Sequence, residues 1–273
     1  LISASVVCDS INPDGQRLTT IVGTCHRFVL AELNTHRVFS RNSASSRAIP
    51  TAKRIEQVLE HPAIPIEFGA NQAGMQAGEA LSGDDERVAL LTWLGARDAA
   101  VSYARELADL GVHKQVVNRL LEPFMWHTVV ITSSYWDNFF DQRCSPLAQP
   151  EIRAFAEEIK LAMGASTPRP IMWGEWHLPF THGLDEMVAS PARVRISAAR
   201  CARTSYETHD GEINITKDLD LYDKLVGARP MHASPLEHPA RAWRERSPTG
   251  NFHRTWVQHR IMIEEREDLV TVR

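Results

Sequence analysis

The chain has 273 residues, with 30 Lys+Arg against 34 Asp+Glu and a formal net charge of −4. That length buries a substantial core in one large domain or two small ones, and the mildly acidic balance excludes the global basic field of a protein that grips nucleic acid polymer. The four cysteines (Cys8, Cys25, Cys144, Cys201) lie far apart with no C-x-x-C pair, which argues against a zinc ribbon or a disulfide scaffold and for a reducing cytoplasm.

In chain order, residues 3–8 and 17–23 are rich in Val, Ile and Thr and flank Asn12-Pro13-Asp14-Gly15, a turn signal that predicts a β-hairpin. A helix is expected over 26–36 and another near 51–60, within a long 49–84 stretch whose length suits a segment covering a site. The helix at 85–109 opens on acidic Asp84-Asp85-Glu86 and stops at Gly111. Helices are predicted near 113–121 and 124–140, the latter carrying Trp126, Val129, Val130, Trp136, Phe139 and Phe140 as core. A helix over 149–163, a strand or packed loop over 173–180, helices near 191–203 and 216–227, and a terminal strand over 251–263 complete the reading. The mixture is α+β without regular strand–helix alternation. There is no G-x-G-x-x-G or P-loop run, no repeat of period 20–50, no apolar run near the roughly 20 residues of a membrane span, and no signal peptide. The chain opens on Leu1 rather than Met, so a natural start upstream is expected.

The segment His36-Arg37-Val38-Phe39-Ser40-Arg41-Asn42-Ser43-Ala44-Ser45-Ser46-Arg47 abandons the apolar periodicity before it for three arginines, a histidine, four serines and an asparagine. Guanidinium forks, hydroxyls and backbone N–H groups make a phosphate cradle; a solvated loop is the plainer alternative. This order resembles the signature of the flavin-dependent thymidylate synthases, with Thr35 where that signature has its first arginine. Asn138-Phe139-Phe140-Asp141-Gln142-Arg143 and Ala148-Gln149-Pro150-Glu151-Ile152 are similar to a second family block. Cys201-Ala202-Arg203-Thr204-Ser205-Tyr206 and His232-Ala233-Ser234-Pro235-Leu236-Glu237-His238 resemble two blocks that ordinarily open the family's sequences. Here they come last, as a circular permutation would place them. The expectation is one catalytic domain over 1–273, with motif and catalytic-arginine parts in 1–163 and a permuted part in 190–273. Its fold would be mixed helices around an antiparallel sheet. The permutation further predicts that the 1–23 hairpin and the 251–263 segment lie side by side.

The resemblance implies a catalytic role for Arg143, stabilising the charge that develops as a pyrimidine C5 becomes nucleophilic. It implies FAD contacts at His36, Arg37, Asn42, Asn138, His232, Ser234 and Glu237. Nucleotide contacts are implied at Glu32, Ser45, Ser46, Arg47, Arg119 and Arg143, although Glu32 stands where glutamine is usual, Ser43 where glutamate is, and Ser46 where glycine is. The implied activity is methylation of dUMP to dTMP, with methylenetetrahydrofolate supplying the carbon and FAD reduced by NADPH the hydride, in a homotetramer with shared sites. The alternatives are a dUMP or dCMP hydroxymethylase and a non-catalytic nucleotide-binding relative. Taken alone, Ser234, Pro235 and Glu237 read as N-cap, N1 and N3 of a capping box. Glu175, His177 and His182 match no standard metal-ligand spacing, and no metal is expected. Cys144 is a weak nucleophile candidate beside cationic Arg143. Trp256-Val257-Gln258-His259-Arg260-Ile261 echoes the arginine–histidine signature without its downstream serines, which leaves the N-terminal copy as the predicted site.

Overall fold

The computed structural model describes residues 1–184, 188–204, 214–245 and 250–271. The predicted hairpin is β1 (Ser3–Ile11) and β2 (Arg17–His26), antiparallel with Asp9 opposite Thr19. Its turn forms because the Asn12 carboxamide oxygen accepts from the Asp14 and Gln16 N–H groups at 3.1 and 3.0 Å while Gly15 takes φ +73°. Three helical elements follow: a 3-10 turn at Arg27–Val29, α1 (Leu30–Asn34) and, after strand β3 (Ser40–Ser43), α2 (Thr51–Glu60). The predicted 26–36 helix is thus shorter and begins as 3-10. Helix α3 (Gly83–Asp109) carries Asp84, Asp85 and Glu86 in its first turn.

The largest correction falls on 124–140. Residues Trp126–Ser133 form strand β4, and only α5 (Asp137–Arg143) is helical. The run His127, Thr128, Val129, Val130, Ile131, Thr132 is rich in β-branched residues, and β4 pairs with β2 on one side and β3 on the other. A central strand buried on both faces shows no alternation, so its apolar run imitates a buried helix. Similarly, the predicted 113–121 helix divides into α4 (Lys114–Val117) and a 3-10 turn at Asn118–Phe124.

Helix α6 (Pro150–Ala165) and the short strands β5 (Arg169–Pro170) and β6 (Trp176–His177) come next. The main sheet has the order β3-β4-β2-β1-β5, antiparallel except where β5 joins β1. α6 packs on it with Ile152, Phe155, Ala156 and Ile159 fully buried beside Ile21, Val129 and Ile131. A side chain at Gly23 would collide with the Phe155 ring, so that close approach needs glycine.

Helices α7 (Ser190–Arg203) and α8 (Ile215–Gly227) confirm the predicted pair. Strands β7 (Ala240–Ala242) and β8 (Trp256–Gln258) close a second sheet, β6-β7-β8. Instead of a strand over 251–263, β8 is brief and α9 (His259–Thr271) follows. The segment does lie against the hairpin: the Asn12 amide donates to Thr255 Oγ1 at 2.8 Å, and Leu18 packs with Phe252 and Trp256.

Between the sheets runs a buried hydrogen-bond chain. His177 Nδ1 meets Ser10 Oγ at 3.0 Å and Cys8 Sγ at 3.4 Å, and its Nε2 meets Thr20 Oγ1 at 2.8 Å. Thr20 meets Thr132 at 2.7 Å, and Thr132 meets His238 Nδ1 at 2.8 Å. Burial holds both imidazoles far below the usual range, at about 3.

Candidate active site

The end of α1 and the end of α5 converge on Arg143. Its Nε donates to His36 Nε2 at 3.0 Å, and its Nη2 donates to Thr35 Oγ1 at 3.1 Å and reaches the Glu32 carbonyl at 3.5 Å. His36 is 6% exposed, with Phe139 edge-on at 4.9 Å and Phe39 at 5.7 Å. Burial, then the positive charges of Arg143 and Arg41, depress its pKa to about 4. The ring is therefore neutral near pH 7, and accepting at Nε2 leaves the proton on Nδ1. One carboxylate oxygen of Glu32 is buried without a hydrogen-bond partner, an acceptor awaiting a donor. Predicted catalytic and nucleotide residues thus meet here, and Thr35, a departure from the signature, joins the hold on Arg143.

A second group forms around Glu122, which the sequence reading did not single out. Its Oε1 accepts from Arg119 Nη1 at 2.9 Å and Arg27 Nη2 at 3.2 Å, and from the Ser46 hydroxyl. Burial would raise this carboxyl's pKa, but Ser46, Arg27 and Arg119 together hold it below the usual value. The buried Asn118 amide ties the same loop down, donating to the carbonyls of Ser46 and Ile49 at 2.7 and 3.0 Å. Ser45 and Arg47 are exposed, and Arg47 has no hydrogen bond or ion pair among the described residues. The i,i+3 spacing of Arg119 and Glu122 was the available signal for this cluster.

The third group joins β3 to the C-terminal segment. The Asn42 amide donates to the Cys201 carbonyl at 2.7 Å, and Ser234 Oγ donates to Asn42 Oδ1 at 3.2 Å. Ser234–Glu237 is a 3-10 turn whose N-cap is Ala233, with no side-chain cap bond; the predicted capping box is not formed because the Ser234 hydroxyl turns sideways to Asn42. Glu237 accepts from Arg260 Nη1 at 2.5 Å, and Gln258 donates to Ser40 Oγ at 2.8 Å and the Glu237 carbonyl at 3.1 Å. The Gln258-His259-Arg260 echo, set aside in the sequence, therefore packs against the N-terminal motif. His232, Arg37 and Asn138 are exposed and hydrogen-bond through their side chains to none of these residues. Ser205 and Tyr206, in the block that begins at Cys201, lie outside the described residues.

Just past Arg143, the turn Pro146–Pro150 forms one wall of a cavity of about 960 Å³. Phe28, Phe68, Trp93 and Glu151 line it as well. Glu151, part of the second predicted block, is 2% exposed; it accepts from the Ile66 N–H and the Gln149 amide, both at 2.9 Å, and so ties the 64–81 loop to α6. The Cys144 thiol does not behave as an activated nucleophile: burial raises its pKa against the pull of Lys160 and Arg153. His177 is spent on its buried chain, and Glu175 Oε2 accepts from the Met172 N–H at 2.7 Å.

The family model described as "Thymidylate synthase complementing protein" matches residues 17–169, more than half of the chain and the part that holds the Arg143 and Glu122 groups. The chain belongs to that family, the flavin-dependent thymidylate synthases. The 190–273 part, with His232, Ser234 and Glu237, lies outside the match. No curated protein matches the chain. Among solved structures it is similar to the UMP/dUMP methylase PolB from Streptomyces cacaoi, bound with 5-Br dUMP, at 15% identity and TM-score 0.44, over 60% of this chain and 90% of that one. The 5-Br UMP complex of the same methylase gives TM-score 0.45 at 15% identity, over 60% and 89%.

Proposed function

We propose that this chain methylates C5 of a pyrimidine deoxynucleoside monophosphate, converting dUMP to dTMP, with methylenetetrahydrofolate as carbon donor and FAD reduced by NADPH. The observation that carries the reading is Arg143: its Nε and Nη2 are held by α1, and its Nη1 has no partner among the described residues. A guanidinium fixed in this way is a preorganised donor for negative charge developing on a pyrimidine edge. The Glu32 carboxylate oxygen without a partner would accept from a base N–H or a sugar hydroxyl. Arg47, with Ser45, would take the phosphate, joined by Ser46 and Arg119 once their bonds to Glu122 open.

The donor set fits a flavin dinucleotide. Exposed Arg37 supplies an uncommitted cation for a diphosphate, and Asn42 in β3, Ser234 on the adjoining 3-10 turn and His232 just before that turn supply polar groups. Asn138 and Glu237 complete the proposed set, with Glu237 acting through its bond to Arg260. The bound flavin would furnish the hydride for the reaction. The aromatic walls of the cavity beyond Arg143 support a heteroaromatic co-substrate such as the folate. Helix α3 supports assembly into the homotetramer: only Val101 and Ala104 of its 27 residues are buried, and Val88, Leu91 and Tyr103 are exposed. A permuted single domain is supported by the packing of the 251–258 segment on the hairpin.

The buried, unpartnered carboxylate oxygen of Glu32, on the helix end that holds Arg143, also favours testing a second reading, in which water rather than hydride quenches the transferred carbon and the product is hydroxymethylated. Mass analysis of the product from dUMP and from dCMP, with methylenetetrahydrofolate and NADPH, separates the two. A methyl product from dUMP supports the first reading, a hydroxymethyl product the second, and no product from either nucleotide leaves a non-catalytic nucleotide-binding relative.

A further inference from the structure

We infer that His36, with Thr35, is a positioning residue for Arg143 rather than a flavin contact; the inference rests on the catalytic reading of Arg143 above. The His36 ring cannot serve both purposes at one atom. Its Nε2 lone pair is occupied by the Arg143 Nε–H at 3.0 Å. The ring itself is locked, buried between Phe39 and Phe139, with Phe139 perpendicular to it at 4.9 Å. Thr35 contributes the second acceptor, its Oγ1 taking the Nη2–H at 3.1 Å, and the same hydroxyl donates to the Glu32 carbonyl at 2.7 Å. Glu32, Thr35 and His36, at one helix end, thus grip a single edge of the guanidinium.

The chemistry explains why these residue types suit the task. Arginine's long side chain loses much rotamer freedom when fixed, and holding Nε and Nη2 in advance removes most of that cost from the reacting complex. A neutral imidazole is a good acceptor for this hold, whereas an imidazolium would have no lone pair and would repel the guanidinium. The replacement at Thr35 acts in the same direction. An arginine there would place a further cation beside Arg143, while the threonine hydroxyl offers an acceptor. The departure from the family signature therefore creates a holder, and the free Nη1 edge is what the substrate meets.

Four variants of the full chain test this: His36→Leu, His36→Gln, Thr35→Val and Arg143→Ala. Gln keeps an acceptor near the Nε2 position, and Leu removes it. The first readout needs no activity: the ¹⁵N signal of the Arg143 Nε–H and the tautomer of His36, by NMR on the free protein. Positioning predicts a slowly exchanging Nε–H in the wild type and in His36→Gln, its loss in His36→Leu, and a shifted His36 ring signal in Arg143→Ala. The second readout is turnover: His36→Leu lowers kcat by about 10²-fold with nucleotide KM and flavin content nearly unchanged, His36→Gln restores most of it, and Thr35→Val gives a smaller loss. If His36→Leu loses flavin while the Arg143 signal persists, or if Gln and Leu are equally impaired with an unchanged Nε–H, the assignment is overturned. Should His36→Leu fail to fold, Arg143→Ala decides, since an unmoved His36 signal would overturn it equally. Absence of turnover in the wild type would instead count against the proposed activity, with the NMR signals still deciding the positioning.

Discussion

Acidification from about pH 7.5 to about pH 5 should destabilise this protein strongly, before most of its carboxylates titrate. The deepest shifts belong to three buried imidazoles, His127, His177 and His238, each driven to a pKa of about 3 by burial, with nearby Arg27 and Arg54 adding to the effect at His127, and His36, held at about 4, acts in the same direction. In the unfolded chain they would titrate near 6.5. Between these values the unfolded state binds protons that the folded state refuses. The stability these groups contribute is therefore full above about pH 6.5 and is lost progressively as pH falls toward their folded value of about 3. One pKa unit is worth about 1.4 kcal/mol, so at about pH 5 each ring has cost about 2 kcal/mol and the three together about 6. A domain is stable by only about 5–15 kcal/mol in all. The hydrogen-bond chain gives the loss a structural meaning: a protonated His238 would carry an N–H on both ring nitrogens, and Nε2 meets no acceptor among the described residues. Urea unfolding midpoints measured across this pH range test the reasoning. The midpoint should fall steadily below about pH 6.5, and His177→Asn, which removes one titrating ring, should lower stability at neutral pH yet flatten the slope by about a quarter. A midpoint that does not change between these pH values would refute it, since it would mean that these rings are hydrated in solution.

Arg143→Ala should reduce turnover by about 10²–10³-fold while nucleotide KM changes little, as read by steady-state kinetics. Arg47→Ala should weaken nucleotide binding by about 10–100-fold, the loss of one charge-assisted hydrogen bond to phosphate, in a titration of the purified protein. Glu151→Ala removes the acceptor that holds the Ile66 N–H of the 64–81 loop together with the bond to the Gln149 amide, and should cost about 2–4 kcal/mol, with amide exchange at Ile66 accelerating more than exchange in β2 or β4.

Much of the architecture was legible because it rests on local chemistry. Asn12 and Gly15 specify the hairpin turn, the acidic first turn specifies the start of α3, and Pro150 starts α6. The misreading of β4 has the opposite cause. Its pairing partners β2 and β3 come from distant sequence and flank both of its edges, while its side chains are buried on both faces by other elements, so periodicity carries no information about it. At the site, Arg143 was visible through its motif, but its holder Thr35 looked like a loss, because only the folded chain brings α1 against α5. Ser234 carries the local signature of a helix cap, yet the competing partner Asn42 lies in β3, beyond the reach of any sequence window. Glu122 went unnoticed because its role depends on Ser46 and Arg27 converging from elsewhere.

The most direct measurement is the visible absorption spectrum of the purified protein under anaerobic conditions, before and after adding dUMP or dCMP. A flavin spectrum that shifts on addition of dUMP is the predicted result, since the nucleotide should seat at Arg143 within reach of the bound cofactor. A colourless protein that takes up no added FAD would contradict the proposed activity, and a flavin spectrum shifted by dCMP alone would contradict the assignment of dUMP.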